Sequence, residues 1–137
     1  MTEKELCDFA ERYFEILNTD LSGLNLTRIS SFEDFYQKQI VDSLLPLEQS
    51  EQFLASIESS KYIMDVGFGG GFPILPLAFV LPNLKFFGLE ARKKKVEAVS
   101  YIVQELGLQN ISLCHQRIEN VIIDRPACLV FKAVGKI

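Results

Sequence analysis

Residues 61–73 read Lys61-Tyr-Ile-Met-Asp-Val-Gly-Phe-Gly-Gly-Gly-Phe-Pro73, and no other stretch constrains the fold as much. Tyr62, Ile63 and Met64 form an apolar run of the kind that makes a short buried strand, and Asp65 closes it. Gly67, Gly69, Gly70 and Gly71 follow as a turn. Glycine fills such a turn without strain, because it takes positive φ freely and places no Cβ between backbone and ligand. Helical sequence resumes after Pro73. Strand, glycine-rich turn and helix in that order are how a doubly wound α/β domain holds a nucleotide-like ligand at the C-terminal edge of its sheet.

A glycine-rich turn that holds no ligand is the competing reading, and two acids weigh against it. Asp65 stands two residues before the first glycine, and the next apolar run, Leu84-Lys-Phe-Phe-Gly-Leu89, ends in Glu90. That spacing is where the second strand of such a fold places an acid on a ribose. A dinucleotide fold directs a helix N-terminus at a pyrophosphate. A cofactor with a sulfonium and an α-amino group favours a carboxylate beside the glycines instead. The Asp-x-Gly-x-Gly-x-Gly order followed by Glu90 therefore leans toward S-adenosylmethionine over NAD.

Around this unit, strands and helices alternate. The patterns predict strands at 61–66, 84–89, 111–114 and 128–133, and helices at 74–80 and 92–106, the latter stopped by Gly107. Alternation of this kind argues a parallel sheet. The first third reads as helical. Thr2 and Glu5 have capping-box spacing, and Leu6, Phe9, Ala10, Tyr13, Phe14 and Leu17 fall on one face of a helix over 2–18, a stripe read as core packing. A second helix is expected from about Ser30, with Phe32, Phe35, Tyr36, Ile40 and Leu44 inward. Pro46 is expected to interrupt it, and a third helix to run from Leu47 to Ile57. The division expected is a helical cap over 1–60 and a ligand-binding core over 61–137, in one folded unit. The last predicted strand lies close to Ile137, so the sheet is expected to be incomplete at its C-terminal side.

The 137 residues suffice for one core, and 48% of them are hydrophobic, which disfavours disorder. No apolar run reaches the roughly 18 residues of a membrane span, and the acidic N-terminal helix is no secretory signal. Cys7, Cys114 and Cys128 are too few and too scattered for a disulfide framework or metal site, which fits a reducing cytoplasm. His115, the single histidine, reads as a surface or satisfied side chain rather than a metal ligand or base. A net charge of −4 disfavours non-specific nucleic-acid binding. Yet Arg92-Lys-Lys-Lys95 puts four cations at a predicted helix start, where the helix dipole disfavours them. A solvated helix end and a seat for an anionic ligand or RNA are both open readings of that run.

Taken together, the motifs resemble the bacterial small-subunit ribosomal RNA guanine-N7 methyltransferases, the glucose-inhibited division protein B family, from about Asn25 to Val134. Asn25-Leu-Thr27 looks like the family's Asn-Leu-Thr. Gln39-Ile-Val-Asp-Ser-Leu44 looks like its His-x-x-Asp-Ser-Leu, with Gln39 where His is usual. Asp65 to Pro73 with Pro76-Leu-Ala78 looks like its cofactor loop, although Ile74 replaces a glycine. Glu90-Ala-Arg-Lys-Lys-Lys-Val96 resembles its acidic-then-basic motif, Arg117-Ile-Glu119 its Arg-x-Glu, and Lys132-Ala-Val134 its Arg-Ala with Lys for Arg.

The resemblance implies a Rossmann-like class I methyltransferase fold and methyl transfer from S-adenosylmethionine to guanine N7 in 16S rRNA, with the small ribosomal subunit or its precursor as partner. It places Gly67, Phe72, Ala91, Ile118, Glu119 and Lys132 at the cofactor, with Ile118 and Glu119 by the adenine. Motif logic adds Asp65, Gly69 and Gly71 near the amino-acid end, and Glu90 at the ribose hydroxyls. Guanine N7 offers an in-plane lone pair and carries no proton. Attack on an activated methyl then needs no general base, only orientation and electrostatics. No catalytic residue is assigned; Lys132 is a candidate for orientation or electrostatics. RNA contact is expected from Arg28, Lys38, Arg92, Lys93, Lys94, Lys95 and Arg117. The alternatives are a fragment that binds cofactor or ribosome without turnover, a small-molecule methyltransferase on the same fold, and an NAD-dependent oxidoreductase.

Overall fold

The computed structural model describes residues 1–24, 26, 29–60, 62–117 and 127–131, and for Tyr62 and 127–131 the backbone alone. Helix α1 (Glu3–Asn18) starts as the capping spacing requires: Thr2 Oγ1 accepts the Glu5 N–H at 3.1 Å, with Glu3 and Glu5 in the first turn. Its inward face holds Phe9, Ala10, Tyr13 and Leu17 as expected, together with Ile16. The next helical stretch begins at Ser31, whose hydroxyl accepts from Asp34 N–H at 3.2 Å. It runs as α2 (Phe32–Phe35), a π-helical segment (Tyr36–Val41) and α3 (Asp42–Gln49).

Pro46 does not interrupt this stretch. It sits inside α3, and the break falls at Ser50, whose side chain caps α4 (Glu51–Ser59) by accepting from Phe53 N–H at 3.1 Å. The physical reason is a difference in what each residue supplies. Proline removes one N–H from a helix, whereas serine offers an acceptor to the orphan donors of a new one.

Beyond α4 the chain alternates as predicted. Strand β1 (Tyr62–Val66), α5 (Ile74–Val80), β2 (Lys85–Glu90), α6 (Lys93–Leu106), β3 (Ile111–His115) and β4 (Ala127–Phe131) follow in order. Among the described residues the sheet is parallel, with strand order β3-β2-β1-β4. Gly107 ends α6 in the left-handed region at φ +69, as a glycine C-cap does.

Side chains alternate across β1. Ile63 joins Phe86 in the main core with Phe9, Tyr13, Phe35, Leu75 and Ile102, while Met64 and Val66 form a smaller cluster with Leu89. Asp65 shares the Ile63 side of the sheet, the side on which α1 packs. The main core thus runs through α1, α2, α5, α6 and the sheet. Phe9 stacks on Phe79 at 4.1 Å between ring centroids, and Tyr13 on Phe72 at 5.0 Å.

Candidate functional site

The strand ends converge at the C-terminal edge of the sheet. Val66 is in register with Leu89, and Glu90 with His115. The loop from β1 to α5 folds over this edge. Gly67, Gly69 and Gly71 take φ of +72, +56 and +100, values that L side chains avoid. The backbone demand read from the glycine pattern is therefore met at these three positions.

The loop is anchored to β2. Gly67 N–H donates to Leu89 O at 2.7 Å, and Phe68 N–H reaches the same carbonyl at 3.4 Å. Phe68 itself is buried against β2: a Cβ on Gly88 would lie 2.7 Å from the Phe68 ring. Further along, Gly71 N–H donates to Phe68 O at 2.8 Å, and Leu75 N–H to Gly71 O at 2.9 Å. The sequence pattern named neither Phe68 nor Gly88. A bulky residue inside a glycine run, opposite a glycine in the next strand, is the signal that would have found them.

Glu90 is 8% exposed and joins the loop to the following turn. Its Oε1 accepts Gly69 N–H at 3.2 Å and its Oε2 accepts Arg92 N–H at 2.8 Å. A carboxylate offers about four lone-pair directions, so each oxygen keeps room for another donor. Asp65 is 1% exposed, in β1 behind the loop. It lies within electrostatic reach of Tyr13, whose phenol is pushed well above its usual range, first by burial and then by this carboxylate. The Tyr13 hydroxyl donates to Gly70 O at 2.5 Å.

Space at the glycines is uneven. Among the described residues, a Cβ on Gly69 would meet nothing closer than Gly67 O at 4.0 Å. One on Gly70 would lie 2.8 Å from Leu26 O, and one on Gly71 2.5 Å from the Tyr13 hydroxyl. Gly69 thus faces an open side, while Gly70 and Gly71 back onto the N-terminal helical region. Phe72 is turned under the loop, 7% exposed, between Tyr13 and Phe35. Ile74, where the resembling family has glycine, is buried in the core.

Ala91 is exposed, and its carbonyl lies 2.9 Å from His115 Nε2. The lone histidine therefore steadies the turn after β2. Arg92 caps α6 without a side-chain hydrogen bond, and the first turn holds Lys93, Lys94 and Lys95 with no acid among them. These four side chains, with Leu24 and Leu26, line a hollow of about 340 Å³. Lys93 also pairs with Glu97 at 3.9 Å. The two leucines were not among the expected site residues; only the tertiary fold brings them to α6.

The remaining expected residues are spread out. Arg117 is exposed just beyond β3, and Lys38 is exposed on the π-helical segment, 3.7 Å from Asp34. Arg28, Ile118, Glu119 and Lys132 lie outside the described residues. Among the described residues, no group of three or more His, Cys, Asp or Glu is placed to hold a metal. None of the described helices is long and apolar enough to cross a membrane.

A family model described as rRNA small subunit methyltransferase G matches residues 6–137. A "Ribosomal RNA small subunit methyltransferase G" from Leuconostoc mesenteroides is 37% identical over 121 residues, 88% of this chain and 49% of its own length. Its namesake from Lactococcus lactis is 33% identical over 120 residues, 88% of this chain and 48% of its own length. A namesake from Mycoplasma mycoides is 32% identical over 118 residues, 86% of this chain and 82% of its own length. The chain spans about half the length of the first two relatives. Among solved structures, the plantazolicin methyltransferase BpumL, in complex with SAH and a substrate analogue, aligns with a TM-score of 0.50 at 13% identity, over 90% of this chain and 46% of that one. This likeness bears on the fold, which is that of the class I methyltransferases. With the family match over nearly its whole length, the chain belongs to the rRNA small subunit methyltransferase G family.

Proposed function

We propose that this chain binds S-adenosylmethionine at the loop of residues 65–72 and serves methyl transfer to guanine N7 in 16S rRNA of the small ribosomal subunit, in the cytoplasm. One observation carries the reading. The glycine loop is held against a buried Glu90 through Gly69 N–H at 3.2 Å, and the open side of Gly69 lies beside that contact. The residues present suit the cofactor. A carboxylate with spare acceptor directions fits two ribose hydroxyls, and Asp65 and Glu90 place negative charge beside a cationic ligand. When bound, S-adenosylmethionine supplies an electrophilic methyl group.

The protein's own task is then orientation. Glu90 fixes the ribose end, and Gly67, Gly69 and Gly71 let the backbone come close. Asp65, behind the loop, favours the cationic amino-acid end. Guanine N7 brings its own lone pair, so positioning and field take the place of a base. Ala91, Phe72, Ile118, Glu119 and Lys132 belong to the cofactor side by family resemblance, with Lys132 assigned to orientation or electrostatics. For the RNA we assign Arg28, Lys38, Arg92, Lys93, Lys94, Lys95 and Arg117. The cations around the 340 Å³ hollow support this assignment: they are concentrated on a chain of net charge −4. Residues 1–60 act as a cap on the core of 61–137 within one folded unit.

Calorimetric titration with S-adenosylmethionine and S-adenosylhomocysteine tests the site. Binding by the folded chain supports it, and no binding refutes it. Methyl transfer to unmethylated small subunits, followed by mapping of the modified base, tests the reaction. A second reading is that the chain binds cofactor or ribosome without turnover. Binding with no transfer would select it.

A further inference from the structure

The stripe of α1 holds more than packing. Tyr13 is fully buried, yet its hydroxyl reaches a backbone carbonyl 57 residues away, Gly70 O at 2.5 Å. Its ring stacks on Phe72 at 5.0 Å and 11° and meets Phe35 edge-on at 5.6 Å. Gly71 is shaped around it, because a Cβ there would lie 2.5 Å from the hydroxyl. On its other side the loop is tied to β2 through Leu89 O and Glu90 Oε1. The turn is therefore held from two directions, by β2 on one side and by α1 on the other.

We propose that Tyr13 is a positioning residue: its hydroxyl, by holding the Gly70 carbonyl, sets the shape of the Gly69–Gly71 turn and thereby the affinity for the cofactor. The proposal rests on the reading of this loop as the S-adenosylmethionine site. Tyr13 lies under the loop and acts through it. Removal of the hydroxyl leaves the ring stacking in place. It leaves the Gly70 carbonyl without this donor, and the adjoining glycine peptides are then held only by the Gly69 N–H bond to Glu90 Oε1 and the Gly71 N–H bond to Phe68 O. Burial and Asp65 both keep the phenol protonated, so the donor persists across the working pH range.

The test compares wild type, Tyr13→Phe and Ile102→Val. Ile102 is a fully buried residue of α6 that packs in the core without touching the loop's hydrogen bonds, and its variant serves as the packing control. S-adenosylhomocysteine affinity is measured by calorimetry at a temperature where all three are folded. Amide hydrogen exchange is followed at Gly69 and Gly71, which donate to Glu90 Oε1 and Phe68 O. For Tyr13→Phe the expected result is affinity about fivefold to tenfold weaker, the scale of one buried hydrogen bond, and faster exchange at both glycines. Ile102→Val loses thermal stability and changes neither readout. Unchanged affinity in a folded Tyr13→Phe overturns the proposal, whatever the exchange does. If wild type itself binds no S-adenosylhomocysteine, the cofactor reading fails. Exchange at Gly69 and Gly71 then decides by itself whether Tyr13 shapes the turn: unchanged exchange overturns that, faster exchange supports it.

Discussion

Replacing Gly69 by alanine separates the backbone's need for glycine from a ligand's need for space. At φ +56 an alanine pays the left-handed penalty of about 1 kcal/mol and little else, because among the described residues its Cβ would meet no atom closer than 4.0 Å. With an unfolding entropy of about 2.1 cal/mol/K per residue over 137 residues, that penalty lowers Tm by about 3–4 °C. Gly107→Ala is the matched control. It has φ +69 and, among the described residues, no atom within 4 Å of the new Cβ, but it caps the C-terminal end of α6, away from Arg92 and the glycine loop. Both variants should lose similar stability in a thermal melt. Only Gly69→Ala should lose S-adenosylhomocysteine affinity, by about tenfold or more, or about 1.4 kcal/mol. Gly69→Val, with a branched side chain in the same space, should lose more. The refuting result is Gly69→Ala that melts as computed and binds within twofold of wild type. The open side of Gly69 would then face solvent and not the cofactor.

Glu90→Gln replaces one carboxylate oxygen by an amide NH₂ that faces a backbone donor, Gly69 or Arg92. Cofactor affinity should fall about tenfold or more by calorimetry, and an unchanged value would remove Glu90 from the ribose. Reversal of Lys93, Lys94 and Lys95 to Glu should weaken RNA binding and flatten its log–log salt dependence while cofactor binding stays intact; equal affinity and slope would reduce the run to a solvated helix end. Tyr101 is pushed up to about 12, first by its hydrogen bond to Asp20 and then by burial and the bond to Glu105. A raised pKa means the folded state favours the protonated phenol. Its stabilising contribution is complete below pH about 10 and is lost between about 10 and about 12. Absorbance titration should show one phenol fewer ionising near pH 12 in Tyr101→Phe than in wild type; an unchanged high-pH phase would refute the assignment.

Some of the site was legible because it depends on local order. Positive φ at Gly67, Gly69 and Gly71 and the acid ending β2 follow from residue type and spacing along one strand–turn–helix unit. The start of α1 at Thr2 and the stop of α6 at Gly107 are likewise local. Pro46 lies inside α3 instead of ending it, because the boundary is set by the serine cap at Ser50.

What the residue order alone determined was the parallel α/β unit, the glycine turn and its two acids, since these are set by hydrophobic period, by turn chemistry and by family motifs. Only the tertiary structure decided which distant residues complete the site. Tyr13 lies on a helix whose apolar stripe reads as core, and nothing in its spacing tells a packed phenol from one that donates to Gly70 O. Leu24 and Leu26 reach the cations of α6 across more than sixty residues of chain. Phe68 meets Gly88 only because β1 and β2 are in parallel register. A contact between segments far apart in the chain depends on how the whole core packs, and no local pattern encodes it.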